Sequence, residues 1–170
     1  MNFSEAFDKV VAHEGEYTDH PSDPGNWTGG RPGAGVLLGT KFGISAASYP
    51  HIDIRNLTLD QAREIYRRDY WNRLRLDDLP PEIAFDLFDT AINSGLRRAA
   101  LILQDVVGTH QDGIIGPITT AAARWASEMH GPHYLPRMFN AKRLLFLASL
   151  STWGAFGRGW ARRVAQNLLM

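Results

Sequence analysis

Apolar side chains recur at helical spacing at the start of the chain. Four of them share one helix face, at i, i+4, i+7 and i+8: Phe3, Phe7, Val10 and Val11. Gly15 then supplies a stop, because glycine readily adopts the backbone conformation that ends helices. The pattern therefore predicts an amphipathic N-terminal helix with one face against a core.

The helical period is lost between Tyr17 and about Pro50, where Gly, Pro, Asn and Thr dominate. Within this stretch, residues 36–45 read as two short strand-like pieces broken at Gly39 and Gly43, which predicts a small β-hairpin. Long polar loops inside compact domains are uncommon and are often functional. We therefore expect functional residues in this segment.

From Asn56 onward the whole chain follows helical patterns. The predicted helix starts and stops are marked by a capping box, prolines and glycines: Thr58 with Gln61, Pro81, Gly95, Gly108 and Pro117. A last helical region begins near Leu135, and we expect it to break at Trp153 and Gly154. The sequence thus predicts a mainly α domain with one loop-and-hairpin insertion near its N-terminus.

Composition narrows the class of protein. The 170 residues are enough for one compact domain, and the absence of cysteine excludes a disulfide framework, a thiolate metal site and a cysteine nucleophile. The six histidines show no HExxH spacing, so zinc is not indicated and no cofactor is expected. The acidic N-terminus does not resemble a secretory signal, and the apolar stretch 144–150 is too short to span a bilayer. We therefore expect synthesis in the cytoplasm.

Charge is distributed unevenly along a chain whose net charge is zero. Residues 129–170 contain no acidic residue and six basic ones: Arg137, Lys142, Arg143, Arg158, Arg162 and Arg163. The expected fate of each is a solvated helical surface, although as a patch they are also suited to an anionic cell wall or membrane surface. A neutral total and the absence of a known binding motif argue against nucleic acid as a partner.

Four carboxylates lie close together where the first helix meets the loop: Glu14, Glu16, Asp19 and Asp23. Carrying the helix forward at about 100° per residue puts Glu14 on the apolar stripe. An apolar surface and the negative end of a helix dipole both raise the pKa of a carboxyl group, as a general acid at neutral pH requires. The alternative is an acid that turns out to solvent at a fraying helix end.

A second carboxylate facing Glu14 would complete the pair that glycoside hydrolysis uses. A chain that folds back through its prolines brings Asp23 or Asp19 across a cleft, where roughly 6.5–9.5 Å between the carboxyl groups suits inversion and about 5–5.5 Å suits retention. Turn formation alone also explains Asp23, which precedes Pro-Gly.

Aromatic side chains cluster around the same segment: Tyr17, Trp27, Phe42, Tyr49, Tyr70 and Trp71. Rings with polar tips suit the faces of sugars, although packing in a core is the commoner use. Trp27, in a loop of Gly and Asn, is expected to be the most exposed of them.

Several motifs in order resemble the glycoside hydrolase family 108 muramidases, lysozyme-like enzymes often found as phage endolysins. They are Glu-Gly-x-Tyr at 14–17, Asp19, Pro-x-Asp-Pro-Gly at 21–25 and Gly-Thr-Lys-Phe-Gly-Ile-Ser at 39–45. The later part resembles the predicted peptidoglycan-binding segment of the same family, through DTAINSG at 89–95, Gln104, DGIIGP at 112–117 and GRGWARR at 157–163.

The resemblance implies a lysozyme-like α-helical fold, with a muramidase catalytic region at 1–95, whose loop and hairpin span 17–50, and a helical peptidoglycan-binding-like region at 96–170 packed into the same globule. It implies cleavage of the β-1,4 bond between N-acetylmuramic acid and N-acetylglucosamine, without metal or cofactor. The family's catalytic glutamate corresponds to Glu14, and Glu16 stands where the family usually has a second glycine.

Further roles follow by analogy with phage-type lysozymes, in which an Asp and a Thr orient a water. Asp23 and Thr40 would take those roles here. The candidate substrate-binding residues are Tyr17, Asp19, Trp27, Tyr49 and Asn93. Residues 26–38 lengthen a segment that shorter relatives cross directly, either enlarging the wall of the cleft or decorating the surface.

The expected partner is peptidoglycan, and we expect a monomer that does not insert in the membrane and reaches its substrate through a membrane-permeabilising helper. Two alternatives remain open. A lytic transglycosylase would use a single Glu and leave 1,6-anhydro ends, and Asp23 with Thr40 argues against it. A non-catalytic peptidoglycan-binding module would be favoured by loss of the catalytic acid, whereas Glu14 is present.

Overall fold

The computed structural model describes residues 1–11 and 17–170. Within those ranges it contains seven α-helices and one two-stranded antiparallel sheet, which confirms the predicted fold class. The helices are α1 (Phe3–Val11), α2 (Leu59–Tyr66), α3 (Pro81–Ser94), α4 (Leu96–Val107), α5 (Pro117–His130), α6 (Tyr134–Ala148) and α7 (Trp153–Leu168). The strands are β1 (Thr40–Lys41) and β2 (Ile44–Ser45). No helix of the described ranges is long and apolar enough to cross a membrane.

The chain forms two compact units. The first unit is Phe3–Arg68, and the second unit is Met1–Asn2 together with Asp69–Met170. Helix α3, which the sequence analysis placed in the catalytic region, therefore belongs to the second unit.

The predicted apolar stripe of α1 is buried in the first unit, with Phe3, Phe7 and Val10 all at most 6% exposed. Phe7 meets the ring of Tyr66 on α2 edge-on at 5.7 Å. Arg63 of α2 lies over Phe7 at 4.5 Å and pairs with Asp8 at 2.9 Å. The stripe predicted from the sequence is thus the surface on which α1 and α2 pack.

The predicted capping box opens α2. The Thr58 side chain accepts from the backbone N–H of Gln61, and the Gln61 side chain accepts from the backbone N–H of Thr58. At the other end of the helix, the Tyr66 hydroxyl donates to the carbonyl oxygen of Phe42 at 3.0 Å. Helix α2 thereby ties α1 to the hairpin.

The predicted hairpin is present as β1 and β2, paired through Thr40 with Ser45 and Lys41 with Ile44. Its two-residue loop has positive φ at both positions, 51° at Phe42 and 74° at Gly43. This is the geometry of a type I′ turn, whose twist matches that of the strands. A non-glycine residue at positive φ is uncommon, and the hydrogen bond from Tyr66 holds this one in place.

Helix α3 is the central helix of the second unit, and residues 83–91 are all buried. As the sequence predicted, Pro81 is its first residue and Gly95, at φ 88°, ends it. Gly108 ends α4 in the left-handed conformation, and Pro117 opens α5. These helix boundaries could be predicted from the sequence because each depends on the residue at the boundary itself.

The predicted break in the last helical region is present, but it lies at residues 149–152, just before the predicted Trp153 and Gly154. Helix α6 ends at Ala148, and Trp153 is the first residue of α7 with Gly154 inside its first turn. Glycine inside a helix costs only about 1 kcal/mol relative to alanine, so packing against the neighbouring helix readily overrides it.

A buried charge cluster joins α3 to the last two helices. Arg143 of α6 pairs with Asp89 at 2.7 Å, and both side chains are 2% exposed. Arg163 of α7 pairs with the other Asp89 carboxylate oxygen at 2.6 Å. The expectation that the basic C-terminal residues form a solvated surface was therefore wrong for Arg143, which is buried, whereas Arg163 is half-buried and reaches Asp89 from the surface.

Burial opposes ionisation of Asp89, but Arg143 and Arg163 together outweigh it and lower the pKa of this carboxyl group. One turn earlier, burial raises the pKa of Asp86 to about 6, although Asn167 donates to its Oδ1 at 3.0 Å. The two carboxyl groups of one helix are thus shifted in opposite directions, because only Asp89 has two guanidinium partners.

The DGIIGP motif forms a turn organised by Gln104, which is 1% exposed. The Gln104 Nε2 donates to Asp112 Oδ1 at 2.7 Å, and Gly113 N donates back to Gln104 Oε1 at 2.9 Å. The hydrogen bond from Gln104, with a second from the Ile114 N–H, lowers the pKa of Asp112. Tight-turn formation into the α5 start is thus a sufficient structural explanation for this motif.

Candidate active site

Glu14 and Glu16 lie outside the described residues. The described part of the candidate site is the loop and hairpin that follow them, all in the first unit.

The loop is attached to the hairpin by a backbone bridge between Thr18 and Thr40. Thr18 N donates to Thr40 O at 2.9 Å, and Thr40 N donates to Thr18 O at 2.8 Å. Because side chains alternate along extended backbone, Tyr17 and Asp19 project to the same side of this bridge. The bridge therefore brings two of the predicted substrate-binding residues together.

Asn26 is the centre of the loop, and sequence reasoning missed it. It is fully buried, its Nδ2 donates to His20 O at 3.1 Å, and its Oδ1 accepts from Thr40 Oγ1 at 2.7 Å. Its backbone oxygen accepts from both Leu38 N and Gly39 N. A buried amide satisfied on every side fixes a loop that has little apolar core of its own. The only sequence signal was its place after Pro-Gly, which resembles an ordinary surface turn.

Thr40 is held in a definite rotamer by this contact. Its hydroxyl hydrogen points to Asn26 Oδ1, so its oxygen retains lone pairs that can accept a hydrogen bond from a water or a substrate hydroxyl. The arrangement suits the positioning of a water.

Asp23 forms a turn, which is one of the two roles that the sequence suggested for it. Its Oδ1 accepts from Gly25 N at 2.8 Å and caps the 3₁₀ turn Pro24–Asn26. The residue is exposed, and its backbone oxygen accepts from Asn26 N at 3.2 Å. Asn26 therefore connects the two predicted water-positioning residues, Asp23 through its backbone and Thr40 through its side chain.

Tyr17 and Asp19 form a cluster with Arg55, which the sequence gave no reason to single out. The Tyr17 hydroxyl donates to Asp19 Oδ2 at 3.3 Å, and Arg55 Nη2 lies 3.1 Å from the same oxygen. The guanidinium also lies over the Tyr17 ring, 5.0 Å from its centroid. The Tyr17 hydroxyl, followed by Asp19, raises the pKa of Arg55. Asp19 is thus a paired anion, which makes it less suited than Asp23 to act on a water.

Gly39 gives the Tyr17 ring its position. The φ of Gly39 is +84°, and a Cβ atom there would lie 2.6 Å from Tyr17 Cε2 and 2.5 Å from Thr18 O. Since real Cβ atoms do not approach so closely, any side chain at this position would displace the ring or the bridge. The Gly-Thr pair at 39–40 therefore places both Tyr17 and the Thr40 hydroxyl.

The two remaining aromatic candidates of this unit are both half-buried. Trp27, expected to be the most exposed, donates its indole Nε1–H to Pro21 O at 2.8 Å and pairs with Leu37 through a backbone bridge. Its polar edge is therefore engaged in the loop and not offered to solvent. Tyr49 follows the hairpin and is held by a bond from its backbone N to Ser45 O.

The lengthened segment 26–38 is a folded ribbon. Thr28 N donates to Val36 O at 3.0 Å, and Val36 N donates to the Thr28 Oγ1 at 2.9 Å. Gly29 N donates to Ala34 O at 3.0 Å. The close approach needs glycine, since a Cβ on Gly29 would lie 2.8 Å from Ala34 O. The insertion therefore has a fixed shape.

Asn93, the last predicted substrate-binding residue, lies in the second unit on the final turn of α3. Its Nδ2 donates to Asp89 O at 2.7 Å and more weakly to Asp89 Oδ1 at 3.3 Å. Its orientation is thus set mainly by the backbone carbonyl of Asp89, one turn earlier in α3. Across the described ranges, no group of three or more His, Asp or Glu side chains is arranged to hold a metal ion.

Comparison with known proteins gives matches along most of the chain. The family described as Glycosyl hydrolase 108 matches residues 7–95, and the family described as Predicted Peptidoglycan domain matches residues 98–165. Among solved structures, SagA of Brucella abortus is 36% identical in sequence and superimposes with a TM-score of 0.78, with 98% of this chain and 91% of that chain covered. No curated protein matches.

Proposed function

Since this chain belongs to the glycosyl hydrolase 108 family, we propose that it cleaves the β-1,4 bond between N-acetylmuramic acid and N-acetylglucosamine in peptidoglycan. The chain is a glycoside hydrolase, and its second matched region supports peptidoglycan as the partner. In the proposed reaction, Glu14 donates its proton to the glycosidic oxygen as the bond to the anomeric carbon breaks, and a water supplies the hydroxyl that replaces it.

The observation that carries the proposal is that Asn26 connects Asp23 and Thr40 through hydrogen bonds. In the sequence, Asp23 follows Glu14 by nine positions and Thr40 follows it by twenty-six. Thr40 offers acceptor lone pairs, and Asp23 uses one carboxylate oxygen for Gly25 N and has a second one to offer. Both groups are suited to hold a water or to stabilise a transition state that resembles an oxocarbenium ion.

The Tyr17, Asp19 and Arg55 cluster is proposed to contact the glycan strand. Peptidoglycan presents hydroxyl, acetamido and carboxylate groups, and the cluster offers a tyrosine ring, a carboxylate and a guanidinium within one surface. Arg55 is 67% exposed in its side chain and so remains accessible to an anionic group. Trp27 and Tyr49 are proposed to support this surface from their half-buried positions.

The test is mass spectrometry of fragments released from purified sacculi by the wild type and by Glu14→Gln. We expect reducing N-acetylmuramic acid ends from the wild type, and a loss of at least about a thousandfold in rate from the variant, since it cannot protonate the leaving oxygen.

Glu16→Gln is the matched control, because it removes a carboxylate two positions away. It should cleave sacculi at close to the wild-type rate, and circular dichroism should show the same melting temperature for all three proteins. Anhydro ends in the products would replace the hydrolase with a lytic transglycosylase. Intact sacculi with the wild type would leave only the non-catalytic binding module.

The proposed biological role is that of a phage endolysin which is made in the cytoplasm, acts as a monomer and reaches peptidoglycan after a helper opens the inner membrane. Expression in bacterial cytoplasm should lyse cells only when such a helper is co-expressed. Lysis without a helper would contradict this route, while leaving the proposed chemistry unaffected.

A further inference from the structure

The second unit contains a cavity of about 230 Å³ between the C-terminal end of α3 and the last two helices. Its described lining combines two polar residues from α3, the guanidinium of Arg143 from α6, and apolar and aromatic residues from α6, the α6–α7 connection and α7: Asn93, Ser94, Arg143, Phe146, Leu147, Leu150 and Trp160. Drug-sized ligands occupy pockets of about 300–1,000 Å³, so this cavity is suited to a single ring of sugar size.

The polar side of the cavity is oriented in advance. Asn93 donates its Nδ2 to the backbone oxygen of Asp89 at 2.7 Å and makes a longer contact of 3.3 Å with Oδ1 of the Asp89 carboxylate, which Arg143 and Arg163 hold in place. With the nitrogen engaged there, the side-chain oxygen is the atom that Asn93 presents to a ligand. The α3 backbone and the buried charge cluster thus hold one hydrogen-bond acceptor, the Asn93 oxygen, at the edge of a cavity that Arg143 also lines.

The aromatic side of the cavity is also built by its surroundings. Trp160 lies 6.2 Å from the ring of Trp153 and 5.7 Å from that of Phe156, and all three belong to α7. Gly157 makes room for this arrangement, since a Cβ there would lie 2.6 Å from the Trp153 ring. Glycine weakens an exposed helix by about 1 kcal/mol relative to alanine, so the packed rings are obtained at the expense of helix stability.

Phe146 is fixed from its other side by Arg98, whose guanidinium lies 4.2 Å from the ring centroid. Leu147 is 4% exposed and closes the cavity floor, while Phe146, Leu150 and Trp160 are half-buried and remain accessible at its walls. The wall is therefore apolar, and one face of an indole ring and one of a phenyl ring are held in place around it.

We propose that this cavity binds one N-acetylated hexosamine of the glycan strand. An indole ring suits the apolar face of a pyranose ring, the Asn93 oxygen suits the N–H of an acetamido group, and the wall of Phe146 and Leu150 suits its methyl group. This inference rests on the proposed function. Peptidoglycan is a polymer of N-acetylated hexosamines, and residues 98–165 match the family described as Predicted Peptidoglycan domain.

The experiment is an NMR titration of full-length Glu14→Gln with tri-N-acetylchitotriose, and separately with cellotriose, which has the same linkage but no acetamido groups. We expect the Trp160 indole N–H and the Asn93 side-chain amide signals to shift with the acetylated sugar and to stay in place with cellotriose. The indole N–H of Trp125, which is 59% exposed on α5 and does not line the cavity, should not shift with either sugar.

Four variants in the same background sharpen the result. Trp160→Ala should weaken binding at the Asn93 signal by about tenfold or more, and Trp160→Phe should recover part of that loss because a ring is restored. Trp125→Ala should bind as the parent does. Asn93→Ala should retain stacking at Trp160 but lose most of the preference for the acetylated sugar.

The inference would be overturned if the Trp160 indole N–H chemical shift did not change at a saturating concentration of tri-N-acetylchitotriose. Equal chemical-shift changes with both sugars would also overturn it. Dimerisation that Trp160→Ala abolishes, seen by sedimentation in the absence of sugar, would assign the aromatic surface to a second copy of the chain and also overturn it. Cleavage of sacculi is measured separately on the wild type. Failure there would overturn the proposed function, whereas the titration uses a soluble sugar and a cleavage-deficient variant and so gives its own answer.

Discussion

The two units fix their polar groups in different ways. In the first unit, a neutral amide, Asn26, gathers the carbonyl and hydroxyl groups of an exposed loop. In the second unit, a buried anion, Asp89, holds cations from two different helices. A neutral hydrogen bond contributes about 1 kcal/mol and is cheap to bury, whereas a buried charge is costly unless it is paired.

This difference matches what each unit has to hold. The loop of the first unit presents Asp23 and Thr40 near its surface, and the neutral Asn26 junction connects them without adding a charge of its own. The second unit has helices that must keep one register, and opposite charges inside it penalise every other arrangement. The consequence is that removing the buried anion Asp89 from the second unit should be more destabilising than removing the neutral Asn26 amide from the first.

The largest effect is expected for Asp89→Ala. It leaves Arg143 buried without its partner, which should lower the free energy of unfolding by about 3–5 kcal/mol in urea titrations. Asp105→Ala is the matched control, because Asp105 also pairs with a cation of α6, Lys142 at 2.9 Å, but at the surface. Its loss should be below about 1 kcal/mol. Equal losses in the two variants would mean that the buried Asp89 cluster stabilises the second unit no more than a surface ion pair does.

Local features of the fold were predictable from the sequence for a physical reason. The α1 stripe, the Thr58 capping box and the Pro81 helix start each depend on residues within one or two turns of one another. Their positions are therefore set by nearby residues, although the α1 stripe is stabilised only once it packs against α2. The I′ hairpin likewise depends on a turn of two residues, although a phenylalanine in the first of them is held by the distant Tyr66.

Tertiary partners were not predictable in this way. Arg143 lies 54 positions from Asp89, and nothing in its neighbourhood distinguishes it from the solvated Arg158 and Arg162 of the same basic region. Arg55 meets Asp19 across 36 positions. Asn26 resembled a surface turn, since its burial depends on the ribbon that folds over it. Choices among several equivalent charges or amides are made by packing, which a single sequence does not display.

A smaller effect is expected from Asp86, and it should depend on pH. Its pKa in the folded state, about 6, is above the ordinary value of 3.8, so the folded state favours the protonated form. That stabilisation is complete below pH 3.8 and is lost as pH rises through 6. By pH 7.5 the folded state should have lost about 3 kcal/mol relative to one with an unperturbed aspartate.

Asp86→Asn should remove this loss, so that the variant gains on the wild type between pH 4.5 and 7.5 in urea unfolding measured at both values. Asp89 does not affect this comparison of the wild type with Asp86→Asn. Because its pKa is lowered, its ionisation changes the stability only at pH values below 4.5. Asp105→Asn should follow the wild type throughout. Parallel curves for the wild type and Asp86→Asn would show that Asp86 ionises normally.

The smallest of these effects tests the first unit through Asn26→Ala. Loss of the amide leaves His20 O and the Thr40 hydroxyl without their partner, which should cost about 2 kcal/mol of unfolding free energy. Asn56→Ala is the control, since Asn56 is exposed and bonds only locally to Asp53 within this unit, and it should cost less than about 0.5 kcal/mol. Combining Asn26→Ala with Thr40→Val in a double-mutant cycle should give a coupling of about 1 kcal/mol. A coupling near zero would mean that Asn26 does not orient Thr40. Any loss of sacculus cleavage in Asn26→Ala would then come from a change in the whole loop and not from the Thr40 hydroxyl.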